Sequence, residues 1–426
     1  MRILLSTAMM VLALCLPRVS PAADLSGQSR TYLLSRQAAD GTKLMPLFEY
    51  LDFRADDTAV NDLSFHVGGW LGYESKEEVF GSKSTGDMQY GYLSYRPKQS
   101  NARVDLGRSF VNEGAAMVQL DGLHARTDLI AGFNAAVFGG IPVVASNPTA
   151  TFSEFDFNSR MGDSVYGGRL GHSTDYTRIG VSTLREKDNN VDFRKEESVD
   201  LWLRPISAVE LTGTSSYNAL TREWMQHTYH LTLIPFSSFT LGTDANSIIY
   251  KDYFQASTAS VFKLTTGTID PNERMKNIGE TASYAVGRAT LSLNYTAYTY
   301  DIAGNAKNYG AQLAFAAAGG GAGLAAHRMN GDVDKLRYTD FRVYAYKNFG
   351  VVDITADALA ITYDTTINGI KTGYSATLAG GYAVTDRAKV KADVEYGHNP
   401  FYDRDIRGLV QFAYNFGTLP GAKGGK

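Results

Sequence analysis

Two histidines stand three positions apart in the segment His227-Thr228-Tyr229-His230, a spacing that raises the question of a metal site. The flanking residues predict a β-strand, and strand residues three apart project from opposite faces. The two imidazoles therefore cannot share one ion. The other five histidines are scattered along the chain: His66, His124, His172, His327 and His398. The sequence predicts neither a metal site nor a cofactor.

A glycine-rich stretch, residues 321–326 (GAGLAA), fits the loose fingerprint of a dinucleotide-binding turn. Such a site needs a helix after the glycines and an acidic residue about 20 positions further on. Here residues 329–332 (MNGD) predict a turn, and residues 336–346 alternate as a strand does. We therefore interpret the stretch as a glycine-rich turn between strands.

The sequence contains no Gly-x-Ser-x-Gly segment and no recognisable Ser/His/Asp grouping. A hydrolase built into a membrane barrel would still need a positioned nucleophile, and no pattern indicates one. The prediction is that the protein is not an enzyme. An outer-membrane hydrolase is kept as a third alternative.

Charged residues in the segment 387–396 (RAKVKADVEY) take every odd position, and apolar residues take every even one. A strand with this pattern has one charged face and one apolar face. The residues predicted to line a pore are Arg204, Arg337, Arg342, Asp353, Asp357, Lys389, Lys391, Asp393 and Glu395. Two interpretations stay open: these groups tune ion selectivity, or they pair across strands and keep the wall hydrated.

Similar alternation recurs in about twenty segments between residues 63 and 416, each roughly 9–14 residues long. A tilted strand needs about 9–11 residues to cross a bilayer, whereas strands of soluble domains average about 5–6. The connections also alternate between short turns and long loops, as in membrane barrels. The predicted fold is an all-β, transmembrane, antiparallel up-and-down β-barrel of about 18–20 strands. A soluble β-sandwich or β-helix is the alternative.

The N-terminus has the features of a secretory signal peptide: Arg2, an apolar run from Ile3 to Leu16, and small residues near Ala22. The one cysteine, Cys15, lies within it. The chain of 426 residues has a formal net charge of −3 and no basic run, which excludes nucleic acid as a partner. No later stretch has 18 consecutive apolar residues. These features predict the outer membrane of a Gram-negative bacterium, with outer-membrane lipid as a partner.

The chain divides into four predicted parts: a signal peptide (1–22), a periplasmic or lumenal segment (23–62), the barrel (63–416) and a periplasmic tail (417–426). Residues 45–54 make an odd extra segment of unassigned role. Loop 139–163 is long enough either to enter the pore or to lie on the outer surface.

The segment 408–416 (GLVQFAYNF) resembles the C-terminal recognition strand of outer-membrane proteins. The resemblance implies that the barrel-assembly machinery binds there, through Gly408, Phe412, Tyr414 and Phe416. Ten residues follow this strand, whereas many members of the family end at the aromatic residue.

Four further motifs resemble porin-like barrels, including those of metal-reducing bacteria. They are GRSF…NEG…LDGL (107–123), YNALT (217–221), HRMNG (327–331) and VEYGHNPFYD (394–403). The resemblance implies a non-enzymatic pore for small polar solutes or ions. Its alternative is a sheath around partner multihaem c-type cytochromes, which would conduct electrons across the outer membrane. The chain has no haem-attachment motif of its own.

Overall fold

The computed structural model describes residues 24–37, 42–56, 62–74, 83–114, 116–143, 162–253, 270, 272–400 and 402–417. The predicted signal peptide, residues 418–426 of the predicted tail and residues 144–161 of the predicted loop lie outside the described residues. In the part that is described, no helix has the length and apolar character needed to cross a bilayer.

Antiparallel strands make up almost all of the described chain, and most of the long strands follow from an alternating segment. In chain order the first half comprises β1 (Asp24–Gln37), β2 (Lys43–Leu44), β3 (Pro46–Asp56), β4 (Leu63–Glu74), β5 (Ser84–Tyr95), β6 (Arg103–Glu113), β7 (Ala116–Asp128), β8 (Phe133–Pro142), β9 (Ser164–Ser173), β10 (Thr177–Asp188), β11 (Val191–Ile206) and β12 (Val209–Asn218).

The second half comprises β13 (Glu223–Phe236), β14 (Phe239–Ile249), β15 (Arg274–Val286), β16 (Ala289–Tyr300), β17 (Gly304–Ala317), β18 (Gly320–Gly331), β19 (Tyr338–Asn348), β20 (Val352–Ile367), β21 (Ile370–Ala383), β22 (Ala388–Asn399) and β23 (Tyr402–Gly417). The described connections include three short helical turns: Ile130–Gly132, Tyr250–Tyr253 and Asp334–Leu336.

The sheet closes on itself through its first and last strands. β1 pairs with β23 from Ser26 opposite Gly417 to Ser35 opposite Gly408, and its other edge pairs with β3. Every other long strand pairs with its neighbours in the chain, and the two-residue β2 pairs only with the end of β1. The result is a closed, up-and-down, 22-strand barrel. The predicted architecture is confirmed, and the strand number is 22 rather than about 18–20.

The two additional barrel strands correct the assignment of residues 23–62. These residues were predicted to form a periplasmic or lumenal segment, with 45–54 as an odd extra piece. Instead Asp24–Gln37 and Pro46–Asp56 are wall strands on either side of the closing seam. Serine and glycine interrupt the alternation of β1 (DLSGQSRTYLLSRQ), so the sequence pattern alone underestimates it.

The two ends of the barrel differ in their connections. The end that holds Asp24 and Gly417, called here the turn end, has mostly short turns such as Gly287–Arg288 between β15 and β16. The opposite loop end has the longest connections. The predicted turn at residues 321–326 is wrong, because these residues lie within β18 and the chain turns just before them, at Ala318–Gly319.

The two faces of the wall differ in chemistry. Cross-strand partners share a face, so the pairing registers assign each side chain to one of the two faces. One face exposes large apolar side chains on strand after strand, among them Leu106, Leu170, Val181, Val199, Leu293, Leu324, Val343 and Val394. The other face carries polar groups, among them Arg169, Asp200, His230, Asp244, Asn277, Asn294, Asp340 and Arg342. This is the division expected of a membrane barrel.

Candidate functional site

Strands β6 and β7 leave the barrel wall and fold over. The pairing between β5 and β6 covers only Gly91–Tyr95 opposite Val104–Arg108, although both strands continue beyond it. On the other side β7 pairs with β8 only from Leu120 onwards. The loop-end part of this hairpin, residues 109–119, therefore has no wall strand beside it among the described residues. We call it the inserted hairpin.

Glycines form the crease where the hairpin bends. Gly107 has a φ of 127°, a value that favours glycine, and a Cβ there would lie 2.4 Å from the carbonyl oxygen of Gly91. Its register partner Gly122 is as crowded, because a Cβ would lie 2.2 Å from the carbonyl oxygen of Gly139. Only hydrogen at these positions lets the backbones approach so closely.

His124 shows how sharply the hairpin folds. Its Nδ1 lies 3.6 Å from Asp105 Oδ2, in the register partner on β6, and its Nε2 lies 3.1 Å from Glu113 Oε1. Asp105 and Glu113 belong to the same strand, and eight residues of straight strand would place them about 26 Å apart. Both carboxylates reach one imidazole because the strand between them doubles back.

The tip of the inserted hairpin lies on strands that are not its neighbours. A Cβ on Gly114 would lie 2.4 Å from Ser182 Oγ and 3.1 Å from Asp200 Oδ1, on β10 and β11. Val111, Ala116 and Leu120 of the hairpin form one buried cluster with Phe138, Val165 and Leu184 of the wall. Ser182 and Asp200 belong to the polar face. The hairpin therefore lines this face as a second layer.

This contact identifies the polar face as the lumenal one. A hairpin outside the barrel would cover the apolar face, whose side chains are instead exposed; Val181, next to Ser182, is 50% exposed. The apolar face therefore points outward, where lipid can cover it. The inserted hairpin narrows the lumen from one side.

Side chains of β6 and β7 satisfy the edge of β5 that the backbone of β6 leaves unpaired. Arg108 donates from Nη1 to the carbonyl oxygen of Met88 at 2.8 Å, and the Gln119 amide donates to the carbonyl oxygen of Gln89. Arg108 also binds Asp121, with Nε 2.7 Å from Oδ1 and Nη2 3.0 Å from Oδ2. These contacts supply the hydrogen bonds that a strand would otherwise make.

Long side chains on the lumenal face cross a glycine to reach the next strand but one. Arg169 of β9 passes over Gly180 and binds Asp200 of β11, with Nη2 2.6 Å from Oδ2. In the same way Tyr90 passes over Gly68 and donates to Asp52 Oδ1 at 2.7 Å. Because each glycine lacks a side chain, these bridges lie close to the wall.

Four of the predicted pore-lining residues form two ion pairs on this face. Arg342 binds Asp357 of the next strand, with Nη2 2.6 Å and Nε 2.9 Å from Oδ2. Lys389 crosses Gly381 to an ion pair with Asp353, two strands away. Their registers place all four side chains on the lumenal face.

The other predicted pore-lining residues have different surroundings. Lys391, Asp393 and Glu395 share the lumenal face of β22 with Lys389. Arg204 lies near the turn end, 4.0 Å from Glu210. Arg337 is not in a strand: it lies between β18 and β19 and donates to the carbonyl oxygens of Gly331 and Asp332, at 2.7 and 2.9 Å. Arg337 stabilises a loop-end connection.

The histidine pair separates as its strand parity predicts. His227 Nδ1 lies 2.8 Å from Ser215 Oγ, and His230 Nδ1 lies 2.8 Å from Asp244 Oδ1 on the opposite face. In the described part of the chain, no group of three or more His, Cys, Asp or Glu side chains could hold a metal ion.

The residues of the predicted assembly signal lie on the last strand, β23. Phe412 and Tyr414 are exposed on the outer face, and Gly408 pairs with Ser35 at the loop-end limit of the seam. Phe416 stacks on Phe53 of β3 with ring centroids 6.4 Å apart. Both rings flank Gly27 of β1, where a Cβ would lie 2.3 Å from the Phe416 ring.

Comparisons with known proteins yield structural likeness only. No protein-family model matches the sequence, and no curated protein matches it. Among solved structures, OccAB2 of Acinetobacter baumannii has a TM-score of 0.47 at 8% identity, covering 93% of this chain and 98% of that one. OccK5 (OpdH) of Pseudomonas aeruginosa has a TM-score of 0.46 at 10% identity, with the same coverage.

A BenF-like porin from Pseudomonas fluorescens Pf-5 has a TM-score of 0.44 at 12% identity, covering 93% of this chain and 99% of that one. Likenesses at these identities and TM-scores carry no argument about function.

The inserted hairpin is the feature that the charge pattern misses. Residues 109–120 (SFVNEGAAMVQL), which comprise the inserted hairpin and Leu120, have apolar side chains on both faces, Phe110 beside Val111 and Met117 beside Val118. A wall strand alternates, because one face meets lipid and the other meets water. The loss of alternation between Gly107 and Gly122 is the signal that could have located it.

Proposed function

We propose that the protein is a non-enzymatic channel of the outer membrane that passes small polar solutes or ions through its lumen. The observation that carries the proposal is the inserted hairpin, which lines a polar lumenal face inside a closed barrel of 22 strands. A structural or anchoring barrel has no need of a second layer that narrows its lumen. A channel needs one, since a constriction sets the size and chemistry of what passes.

The chemistry of the two faces supports the same function. Paired charges such as Arg342–Asp357 and Lys389–Asp353 keep the lumenal wall hydrated without a large net charge. They also place a transverse field at the wall, which favours polar solutes of either sign over apolar ones. The exposed apolar belt outside requires a membrane.

We infer the location and orientation from the ends of the barrel. The turn end would face the periplasm and the loop end the cell exterior, as in bacterial outer-membrane barrels. The proposal also includes export by the signal peptide at residues 1–22. The barrel-assembly machinery would bind the C-terminal strand, and outer-membrane lipid would cover the outer face.

Reconstitution tests the function directly. The mature chain, refolded in detergent and inserted in a planar lipid bilayer, should give stepwise single-channel currents in KCl. In liposomes it should admit small sugars and amino acids faster than protein-free controls. A correctly folded barrel that passes neither ions nor solutes would overturn the proposal.

The alternative function, a sheath around multihaem cytochromes, predicts a different result for the same purified protein. The barrel would have to co-purify with a haem protein at fixed stoichiometry, seen as a Soret band. Hydrolysis that is lost with one lumenal polar substitution would instead support an enzyme.

A further inference from the structure

The lumen-facing side of the inserted hairpin carries two large apolar residues. Phe110 is 61% exposed and Met117 is 69% exposed. Both project from the side of the hairpin opposite to Val111 and Leu120, which are buried against the wall. Side chains of this size are costly to leave in water.

Lipid does not explain these exposed residues. Along the wall, exposed apolar side chains such as Leu106 and Leu123 lie on the outward face, where hydrocarbon covers them. Beyond the crease at Gly107 and Gly122 the hairpin has turned inward, so the side that carries Phe110 and Met117 faces the lumen.

Polar groups adjoin the apolar pair on the same side of the hairpin. The register places Asn112 opposite Met117 and Gln119 opposite Phe110. Asn112 is exposed, whereas Gln119 is buried against β5. The Arg108–Asp121 ion pair lies at the base. An apolar surface about two side chains wide is thus bounded by an amide on one side and an ion pair on the other.

We propose that Phe110 and Met117 form a binding subsite for amphipathic solutes, molecules that join a ring or branched apolar group to a polar group. The apolar group packs on Phe110 and Met117 while the polar group bonds to Asn112 or stays in lumenal water. This proposal rests on the channel function, which it narrows to solutes with an apolar part. The side chains of Asn112 and Gln119 are uncharged. The subsite therefore selects solutes by their apolar group and not by whether they are positively or negatively charged.

The test compares two solutes that differ only in an aromatic ring, phenylalanine and alanine. Wild-type single channels in KCl are recorded while each solute is added to the loop-end side. Phenylalanine should interrupt the current at concentrations about 10-fold lower than alanine. Burial of part of a ring on one such surface supports a preference of this size.

Matched variants assign the preference to the subsite. The double variant Phe110→Asn/Met117→Gln should reduce the preference to about 2-fold or less. Phe110→Leu/Met117→Leu retains an apolar surface and should retain most of the preference. Neither substitution touches the buried side of the hairpin.

A chemical measurement keeps the test independent of hairpin folding in the double variant. The mature chain has no cysteine once the predicted signal peptide with Cys15 is removed, so Met117→Cys introduces a single thiol. A water-soluble thiol reagent should modify it quickly. Phenylalanine should slow that reaction several-fold, and alanine at equal concentration should not.

The outcomes separate this proposal from the channel function. Equal effects of the two solutes on wild-type currents and on labelling of the Met117→Cys variant would overturn the subsite and leave the channel intact. Labelling by lipid-soluble but not water-soluble reagents would also overturn it, because the introduced thiol would then face lipid. Absence of any current from folded wild-type protein would overturn the channel itself.

Discussion

Glu113 and His124 meet at 3.1 Å although the strand pairing of their hairpin would hold them far apart. Their contact exists only because β6 and β7 bend at the crease and fold onto the polar face. The pair is buried, and each partner removes the other's cost of burial. It therefore fastens the inserted hairpin, whose tip at Gly114 lies next to Ser182 and Asp200.

Removing this fastening should loosen the constriction. Glu113→Ala leaves His124 with one carboxylate, Asp105, and removes about 1.5–3 kcal/mol from the attachment of the hairpin. We expect a larger mean single-channel conductance with frequent brief steps between levels. The measurement is a KCl recording against wild type.

Glu395→Ala is the matched control, since it removes a lumenal carboxylate from β22, away from the hairpin. It should leave conductance levels steady. If Glu113→Ala channels were as steady and as narrow as those of the control, the pair would not hold the hairpin.

The crease should tolerate no side chain. Gly107→Ala forces a Cβ into the 2.4 Å gap next to the carbonyl oxygen of Gly91, at a φ of 127°. A residue held in such a backbone region costs about 1–3 kcal/mol before any clash. We expect a low refolding yield, measured as the fraction of barrel that keeps its heat-sensitive mobility in gel electrophoresis.

Gly380→Ala provides the comparison, because its nearest atom would lie 3.7 Å from the new Cβ. This variant should refold as wild type does. Equal yields for the two alanine variants would contradict the role of Gly107 in the crease.

The barrel could be predicted from the sequence because alternation reports directly on the environment of each face. In β22, Lys389, Lys391, Asp393 and Glu395 lie on the lumenal face as the pattern indicates. The ion pair between Lys389 and Asp353 could not be predicted. The two side chains meet only because Gly381, on the intervening strand β21, lacks a side chain. That contact joins residues 36 positions apart.

The inserted hairpin lies beyond sequence reasoning for a different reason. Alternation assumes that each strand has lipid on one face and water on the other. Between Gly107 and Gly122 the hairpin has wall on one face and lumen on the other, so the rule does not apply. β1 was missed for another reason: it is a wall strand, but serine and glycine replace apolar residues beside the aromatic rings of Phe53 and Phe416.

Reversing a lumenal charge should change selectivity more than stability. Lys389→Glu places a carboxylate next to Asp353 in a pair whose side chains are each 39% exposed. Exposed pairs contribute about 0–1 kcal/mol, so the barrel should still fold. The reversal potential in a KCl gradient should shift toward cation preference.

Two controls test whether the shift in reversal potential arises at the lumenal wall. Lys98→Glu changes the net charge equally in the connection between β5 and β6 and should shift the potential less. The exchanged pair Asp353→Lys/Lys389→Glu should return the potential close to wild type. A shift as large in Lys98→Glu would assign selectivity to the mouth rather than to the lumenal wall.

Depth in the membrane should decide the cost of a charge on the outer face. Val394 lies six residues into β22 from the turn end, about 15 Å above it for a strand tilted by about 40°, and the apolar band is about 25 Å tall. Val394→Arg should therefore cost about 2–4 kcal/mol near the midplane. Val390 lies only two residues from Ala388, so Val390→Arg should cost about 0–1 kcal/mol at the interface. Urea unfolding from lipid vesicles measures the free energy of unfolding of both variants.

Asp393→Asn on the lumenal face is the control and should cost less than Val394→Arg. If the two arginine variants were equally stable, the outer face of β22 would not be covered by hydrocarbon, because only a graded environment makes the cost depend on depth.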